Sequence, residues 1–221
     1  MDDTPTAETL DVPGGKLADE VQGRGSAVVL IHEGIADRRM WNREFPLLAG
    51  HHSVTRYDLR GFRGSPPATS ESFPVRDLVA LIDHLHMERP LIVGPSMGGK
   101  TALDLTLAHP KKVGGLLLIA PGYSGMDYDH VQGGKATFER DETLSKAAAD
   151  RLNEIRVPTH ILVGDRDNPA MPHCANFLAR GIAGASVKLV PGADHLPNLS
   201  RPDAFDAAFA ETMSPIRGRS E

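Results

Sequence analysis

Apolar residues along this chain fall into short unbroken blocks separated by stretches with helical spacing. The blocks at 27–31, 91–93, 116–119 and 161–163 are runs of Val, Leu and Ile, as in strands buried on both faces. Between and after them, the spacing predicts helices over 38–48, 74–87, 98–109, 141–154, 172–181 and 202–213. In the last of these, Phe205, Ala208, Phe209 and Met213 form a stripe that should pack on a sheet as core. Strand and helix alternate from Ala27 onward, which predicts an α/β architecture: a parallel sheet with helices on both faces. Upstream, Thr9 to Glu20 reads as two short strands around Pro13-Gly14-Gly15, so an antiparallel hairpin should open the sheet. Residues 1–7 are polar and the tail from Arg217 is expected to fray.

Composition narrows the picture without directing it. A chain of 221 residues is long enough for one well-buried domain and short for two, so a single domain over 1–221 is expected. Hydrophobic residues make up 40% and charged residues 24%, and the formal net charge of −5 argues against a nucleic-acid partner. The pairs Arg38-Arg39 and Lys111-Lys112 read as solvated surface. Apolar runs such as 115–120 are strand-sized, far below the ~18 residues of a membrane span. No basic start followed by an apolar core opens the sequence, so no signal peptide is expected and the expected location is cytoplasmic. Cys174 is the only cysteine; an internal disulfide is excluded, and a helical position in the core or on partly buried surface is expected.

The chemistry concentrates after the second buried block. Gly94-Pro95-Ser96-Met97-Gly98-Gly99 follows the strand Pro90 to Val93 and precedes a helical stretch, the strand–turn–helix context that gives G-x-S-x-G meaning. Such a turn strains the serine backbone and lifts its hydroxyl off the end of a buried strand, and the flanking glycines allow the close approach. A hydroxyl is a weak nucleophile at neutral pH, so Ser96 needs a base and a group to orient that base. Downstream, the strand at 159–164 ends in Asp165-Arg166-Asp167, and the strand at 187–190 runs into a loop presenting His195. Both loops lie past the carboxyl ends of strands, where open parallel sheets hold their ligands. On the residues alone, Asp165 and Asp167 share one loop and either qualifies as the acid; the other reading of Asp165 is a solvated turn residue, with Arg166 as an available partner. Metal chemistry finds no ligand spacing, since adjacent His51 and His52 on a strand would face opposite sides. The glycines from 94 to 99 lack the dinucleotide-binding spacing, so no cofactor is expected.

Several segments in order carry a family resemblance. Val29-Leu30-Ile31-His32-Glu33-Gly34 is similar to a His-Gly oxyanion loop, with Trp41 beyond it; Arg56 to Ser65 resembles a D-x-R-G-x-G-x-S segment; and 77–85 resembles the helix before the nucleophile strand. His195 to Phe205 resembles the histidine loop and last helix. Together with the serine turn, these segments resemble the α/β-hydrolases of the esterase, enol-lactonase and cofactor-free haloperoxidase branch. The resemblance implies Ser96 as nucleophile, Asp167 as acid and His195 as base, with Gly34 and Met97 supplying the oxyanion-hole amides. It also implies a mostly parallel sheet with a cap inserted after the strand ending at Ala120.

Two departures stand out. Glu33 replaces the glycine of His-Gly, and a carboxylate aimed at the oxyanion would repel the charge to be stabilised; the reading adopted turns it outward toward Arg38 or Arg39. Pro95 stands where relatives often carry histidine, and its fixed φ suits a strand end. His32 reads as a loop-shaping side chain. The cap is reduced to 121–140, with glycines at 122, 125, 133 and 134 breaking any long helix. A short cap implies an open site, or one roofed by a second copy in a homodimer. Tyr123, Met126, Tyr128 and Phe138 either line the pocket or pin the loop, Glu33 and Ile35 border it from the oxyanion side, and His130 reads as surface.

The resulting expectation is a serine hydrolase of carboxylic esters or lactones acting through an acyl-enzyme on Ser96. Perhydrolase, haloperoxidase-type or acyl-transfer activity would use the same three residues. A non-catalytic binding protein on the same fold is the remaining alternative.

Overall fold

The structure, a computed structural model, describes residues 5–69, 73–126 and 144–217, with side chains to 212. Its centre is an eight-stranded sheet of order β1-β2-β4-β3-β5-β6-β7-β8. The strands are β1 (Thr6–Val12), β2 (Gly15–Gln22), β3 (Ala27–Leu30), β4 (Ser53–Tyr57), β5 (Leu91–Pro95), β6 (Gly115–Ile119), β7 (Thr159–Gly164) and β8 (Ser186–Val190). β1 and β2 form the expected hairpin, β2 joins β4 antiparallel, and the remaining strands run parallel. The chain passes from β3 out to β4 and then back to β5 on the other side of β3. That reversal creates a crevice at the carboxyl ends of β3 and β5.

Alternation along the strands divides the core into two layers. Val29, Ile31, Ile92, Leu116, Leu118, Ile161 and Val163 join one apolar cluster. Their neighbours Val28, Leu30, Val93, Leu117, Ile119 and Leu162 join the other. The first layer is covered by α2 (Pro74–His84), α3 (Ser96–Ala108) and α4 (Ala170–Gly181). The second is covered by α1 (Glu44–Ala49) and α6 (Pro202–Arg217), through Phe45, Leu48, Phe205, Ala208 and Phe209. A short α5 (Pro197–Ser200) precedes α6. Both faces being buried is why the inner strands read as uninterrupted apolar blocks. Among the described residues no helix is long and apolar enough to cross a membrane.

Three local expectations are corrected. The helix over 38–48 divides into a 3-10 turn at Arg38–Trp41 and α1; Asp37 caps the first, and Pro46 sits in the opening turn of the second, where no amide donor is required. The helix over 141–154 is replaced, where described, by 3-10 turns at Ala148–Asp150 and Leu152–Glu154. There Ser124 draws the amides away: its hydroxyl accepts the Ala148 N–H and its carbonyl accepts the Ala149 N–H. His51 and His52 lie in the turn before β4 instead of on the strand; His52 is buried with Nδ1 2.8 Å from Ser26 Oγ.

Two buried acids mark the helical layers. Asp77 on α2 receives a two-pronged ion pair from Arg60, at 2.6 and 2.7 Å, which ties the loop after β4 to that helix. Glu44 at the start of α1 has no such partner. It is 2% exposed, and neither of its oxygens accepts a hydrogen bond among the described residues. Burial raises its carboxyl to about 7. A raised carboxyl favours the folded state below its unfolded value, and that advantage is lost as pH rises from about 4.5 through about 7. Glu44→Gln is therefore expected to stabilise the fold by about 3 kcal/mol at pH 8 and little at pH 4. Urea unfolding at the two pH values measures this; an equal effect at both contradicts it.

Candidate active site

β5 enters the elbow at Pro95 and leaves it as α3 at Ser96, with no residue between. Ser96 carries φ +44°, a left-handed conformation that costs a non-glycine residue about 1–2 kcal/mol. Close packing holds it there. A Cβ on Gly94 would come within 2.5 Å of the Gly98 backbone, and one on Gly98 within 2.9 Å of the His32 carbonyl. The Ser96 carbonyl accepts the Gly122 N–H at 3.0 Å, so the loop leaving β6 clamps the turn from above. The α3 start also leaves the Met97 amide without an intrahelical acceptor, as the first turn of any helix does.

The loops after β7 and β8 bring Asp167 and His195 together. Asp167, beyond β7, places Oδ2 3.0 Å from His195 Nδ1, and its other oxygen accepts the Asn168 N–H. A carboxylate only accepts, so Nδ1 carries the proton and Nε2 keeps its lone pair. Asp165 is the exposed turn residue of the second reading, with its Oδ1 accepting the Gly192 N–H at 2.6 Å, which ties the β7 and β8 loops together, instead of pairing with Arg166. The Asp167 hydrogen bond raises the His195 pKa above the ordinary imidazole range against the opposing effect of burial, with the charges of Asp167, Glu33 and Asp194 adding to it. Neither Ser96 Oγ nor His195 Nε2 makes a hydrogen bond among the described residues, and neither is a buried orphan. Both atoms are open to an incoming group.

On the other side of the crevice, His32 shapes the loop after β3. Its Nε2 accepts the Leu59 N–H at 2.8 Å, so Nδ1 donates to the Glu33 carbonyl at 2.7 Å. Burial lowers its pKa, which keeps this doubly engaged ring neutral. Gly34 follows, and a Cβ there would lie 3.4–3.7 Å from the Met97 side chain. Gly34 and Met97 are therefore adjacent across the crevice. Glu33 does not turn toward Arg38 or Arg39. Arg38 binds Glu20 and Asp58, Arg39 binds Asp37, and Glu33 folds back so that Oε2 accepts the Ile35 N–H at 2.7 Å. A backbone amide two residues away is a nearer partner than cations already engaged. Ile35 itself stands 90% exposed at the rim.

Tyr123 and Met126 are buried in the first core layer, and Tyr123 stacks on Phe177 with centroids 5.4 Å apart. They pin the loop after β6. Tyr128, His130 and Phe138, with most of the expected cap at 121–140, lie outside the described residues. Sequence reasoning missed the supports. Asp58 accepts the Arg38 and Gly64 amides and the Arg38 guanidinium, while Ser65 Oγ donates to the Asp58 carbonyl. Ser124 donates to Asp104, which also pairs with Lys100. The D-x-R-G-x-G-x-S segment signalled the first network; nothing in the sequence signalled the second.

Comparison with known proteins agrees with the fold. The family model described as "alpha/beta hydrolase fold" matches residues 27–133. Over 112 residues, 47% of this chain, the sequence is 35% identical to the 2-hydroxy-6-oxononadienedioate/2-hydroxy-6-oxononatrienedioate hydrolase of Paraburkholderia xenovorans (strain LB400), 39% of which is covered. The chain thus spans about two fifths of the length of such curated relatives. A thermophilic esterase from Thermogutta terrifontis superposes with TM-score 0.77 at 23% identity, covering 96% of this chain and 99% of that one. The enol-lactonase from Burkholderia xenovorans LB400 superposes with TM-score 0.76 at 21% identity, covering 94% and 100%. At these identities the two structures speak to fold alone.

His195 offers a direct check. An NMR titration of its imidazole is expected to give a midpoint above the ordinary histidine value, and Asp167→Asn is expected to lower it. A midpoint indifferent to that substitution would mean the 3.0 Å contact does not persist in solution.

Proposed function

We propose that this chain, which has the α/β-hydrolase fold, is a serine hydrolase cleaving a carboxylic ester or lactone through an acyl-enzyme on Ser96. The observation that carries the reading is the strained serine at the β5–α3 turn, its hydroxyl unpaired among the described residues, together with an imidazole whose Nδ1 is already held by Asp167. His195 Nε2 takes the Ser96 proton as Oγ attacks the carbonyl, then delivers it to the leaving oxygen. Asp167 fixes the tautomer and stabilises the imidazolium. Water, deprotonated by the same nitrogen, releases the acid and restores Ser96.

The oxyanion formed in each half-reaction is held by the amides of Gly34 and Met97. Loss of one such donor costs about 100- to 1000-fold in other serine hydrolases, so this pair carries much of the rate. The relative from Paraburkholderia is named for hydrolysis of an oxo-dienedioate, which supports hydrolytic chemistry at a carbonyl.

A fluorophosphonate probe is expected to label the wild-type protein on Ser96 and to leave Ser96→Ala unlabelled. With p-nitrophenyl esters and simple lactones, Ser96→Ala should lose at least about a thousandfold in kcat/KM. Equal labelling, or equal hydrolysis, in the two proteins overturns the proposal.

A further inference from the structure

Glu33 is the feature that hydrolysis alone leaves unexplained. It is 8% exposed in the loop that faces the reacting serine. Its backbone is immobilised, because its carbonyl accepts both His32 Nδ1–H and the Ala36 N–H, and the next residue packs on Met97. The two carboxylate oxygens have different surroundings. Oε2 is tied to the Ile35 amide, whereas Oε1 accepts no hydrogen bond among the described residues and is not a buried orphan, so it opens toward solvent.

No lysine or arginine among the described residues pairs with it. Arg38 and Arg39, the nearest in sequence, are committed to Glu20, Asp58 and Asp37. Its charge acts with those of Asp37 and Asp58 on His32, and with those of Asp167 and Asp194 on His195. A carboxylate in this loop opposes the anion that the neighbouring amides must stabilise. A positive group on the bound molecule would remove that penalty. It would pair with Oε1 and neutralise the charge beside the oxyanion.

Resting on the hydrolase reading above, the structure assigns Glu33 as a specificity-determining residue whose free Oε1 receives an ammonium group carried near the scissile carbonyl. The same oxygen repels substrates that carry a carboxylate there. At the separations of such a site, one opposite or like charge discriminates by about tenfold or more. Were Glu33 instead only a second anion supporting the His195 imidazolium, its removal would slow all substrates by one factor irrespective of their charge.

The test is a matched set of p-nitrophenyl esters whose short acyl chains end in methyl, ammonium or carboxylate. Wild-type protein is expected to favour the ammonium ester over the carboxylate ester by about tenfold or more in kcat/KM, and Glu33→Gln to collapse that ratio toward one. No preference in the wild type, or a uniform loss across all three esters in the variant, overturns the assignment. A second arm needs no turnover: calorimetry of the corresponding amides on Ser96→Ala, with and without Glu33→Gln, reads the same preference as a ratio of Kd values. Equal Kd values for ammonium and carboxylate amides in the Glu33 protein overturn it even where no ester is cleaved. Fluorophosphonate labelling separates the two failures, since a labelled Ser96 without charge preference sinks only the Glu33 assignment.

Discussion

A backbone angle at one residue governs the arrangement of the whole site. Ser96 can sit at φ +44° only because β5 and α3 approach each other within the thickness of a glycine, at Gly94 against Gly98. The same closeness sets Gly98 on the His32 carbonyl and Gly99 on Pro121, so the loops after β3 and β6 are positioned by the turn they enclose. Local strain of this kind persists only where the surroundings over-determine it. Here the surroundings are two buried core layers on either face of the parallel strands, with the Gly122 amide closing the turn.

From that turn the chemistry follows by placement. The crevice between the ends of β3 and β5 is where the strand order reverses, and it receives Gly34 from one side and Met97 from the other. β7 and β8 then bring Asp167 and His195 to the same edge, and the Asp165–Gly192 bond keeps those two loops in register. The loop after β3 is shaped by a neutral His32 and braced by Asp58 through Arg38. Glu33 sits inside this frame without a cation among the described residues.

The fold was legible because its strands are buried on both faces and its punctuation is sharp. Blocks such as 116–119 admit little else between helical segments, and Pro13-Gly14-Gly15 sits at the hairpin turn linking β1 and β2. The serine turn and the histidine loop were legible for a related reason: strand ends announce themselves locally. Contacts closing over long separations were not. Choosing Asp167 over Asp165 needed the resemblance, since both stand in one loop, and only geometry shows Asp165 engaged with Gly192. The direction of Glu33 was misjudged because nearby arginines suggested partners, while Glu20 and Asp58, far away in sequence, had already taken Arg38. The 3-10 turns at 148–154 depend on Ser124, more than twenty residues upstream, which periodicity cannot register.

The central claim is that Ser96, His195 and the Gly34 and Met97 amides converge on one tetrahedral centre. A crystal structure of the protein inhibited by a small phosphonate measures this directly. The account expects phosphorus bonded to Ser96 Oγ, its oxyanion about 3 Å from both amide nitrogens, and His195 Nε2 within hydrogen-bond reach of Oγ. A phosphonate bonded elsewhere, or an oxyanion turned away from Gly34 and Met97 toward bulk water, would contradict it.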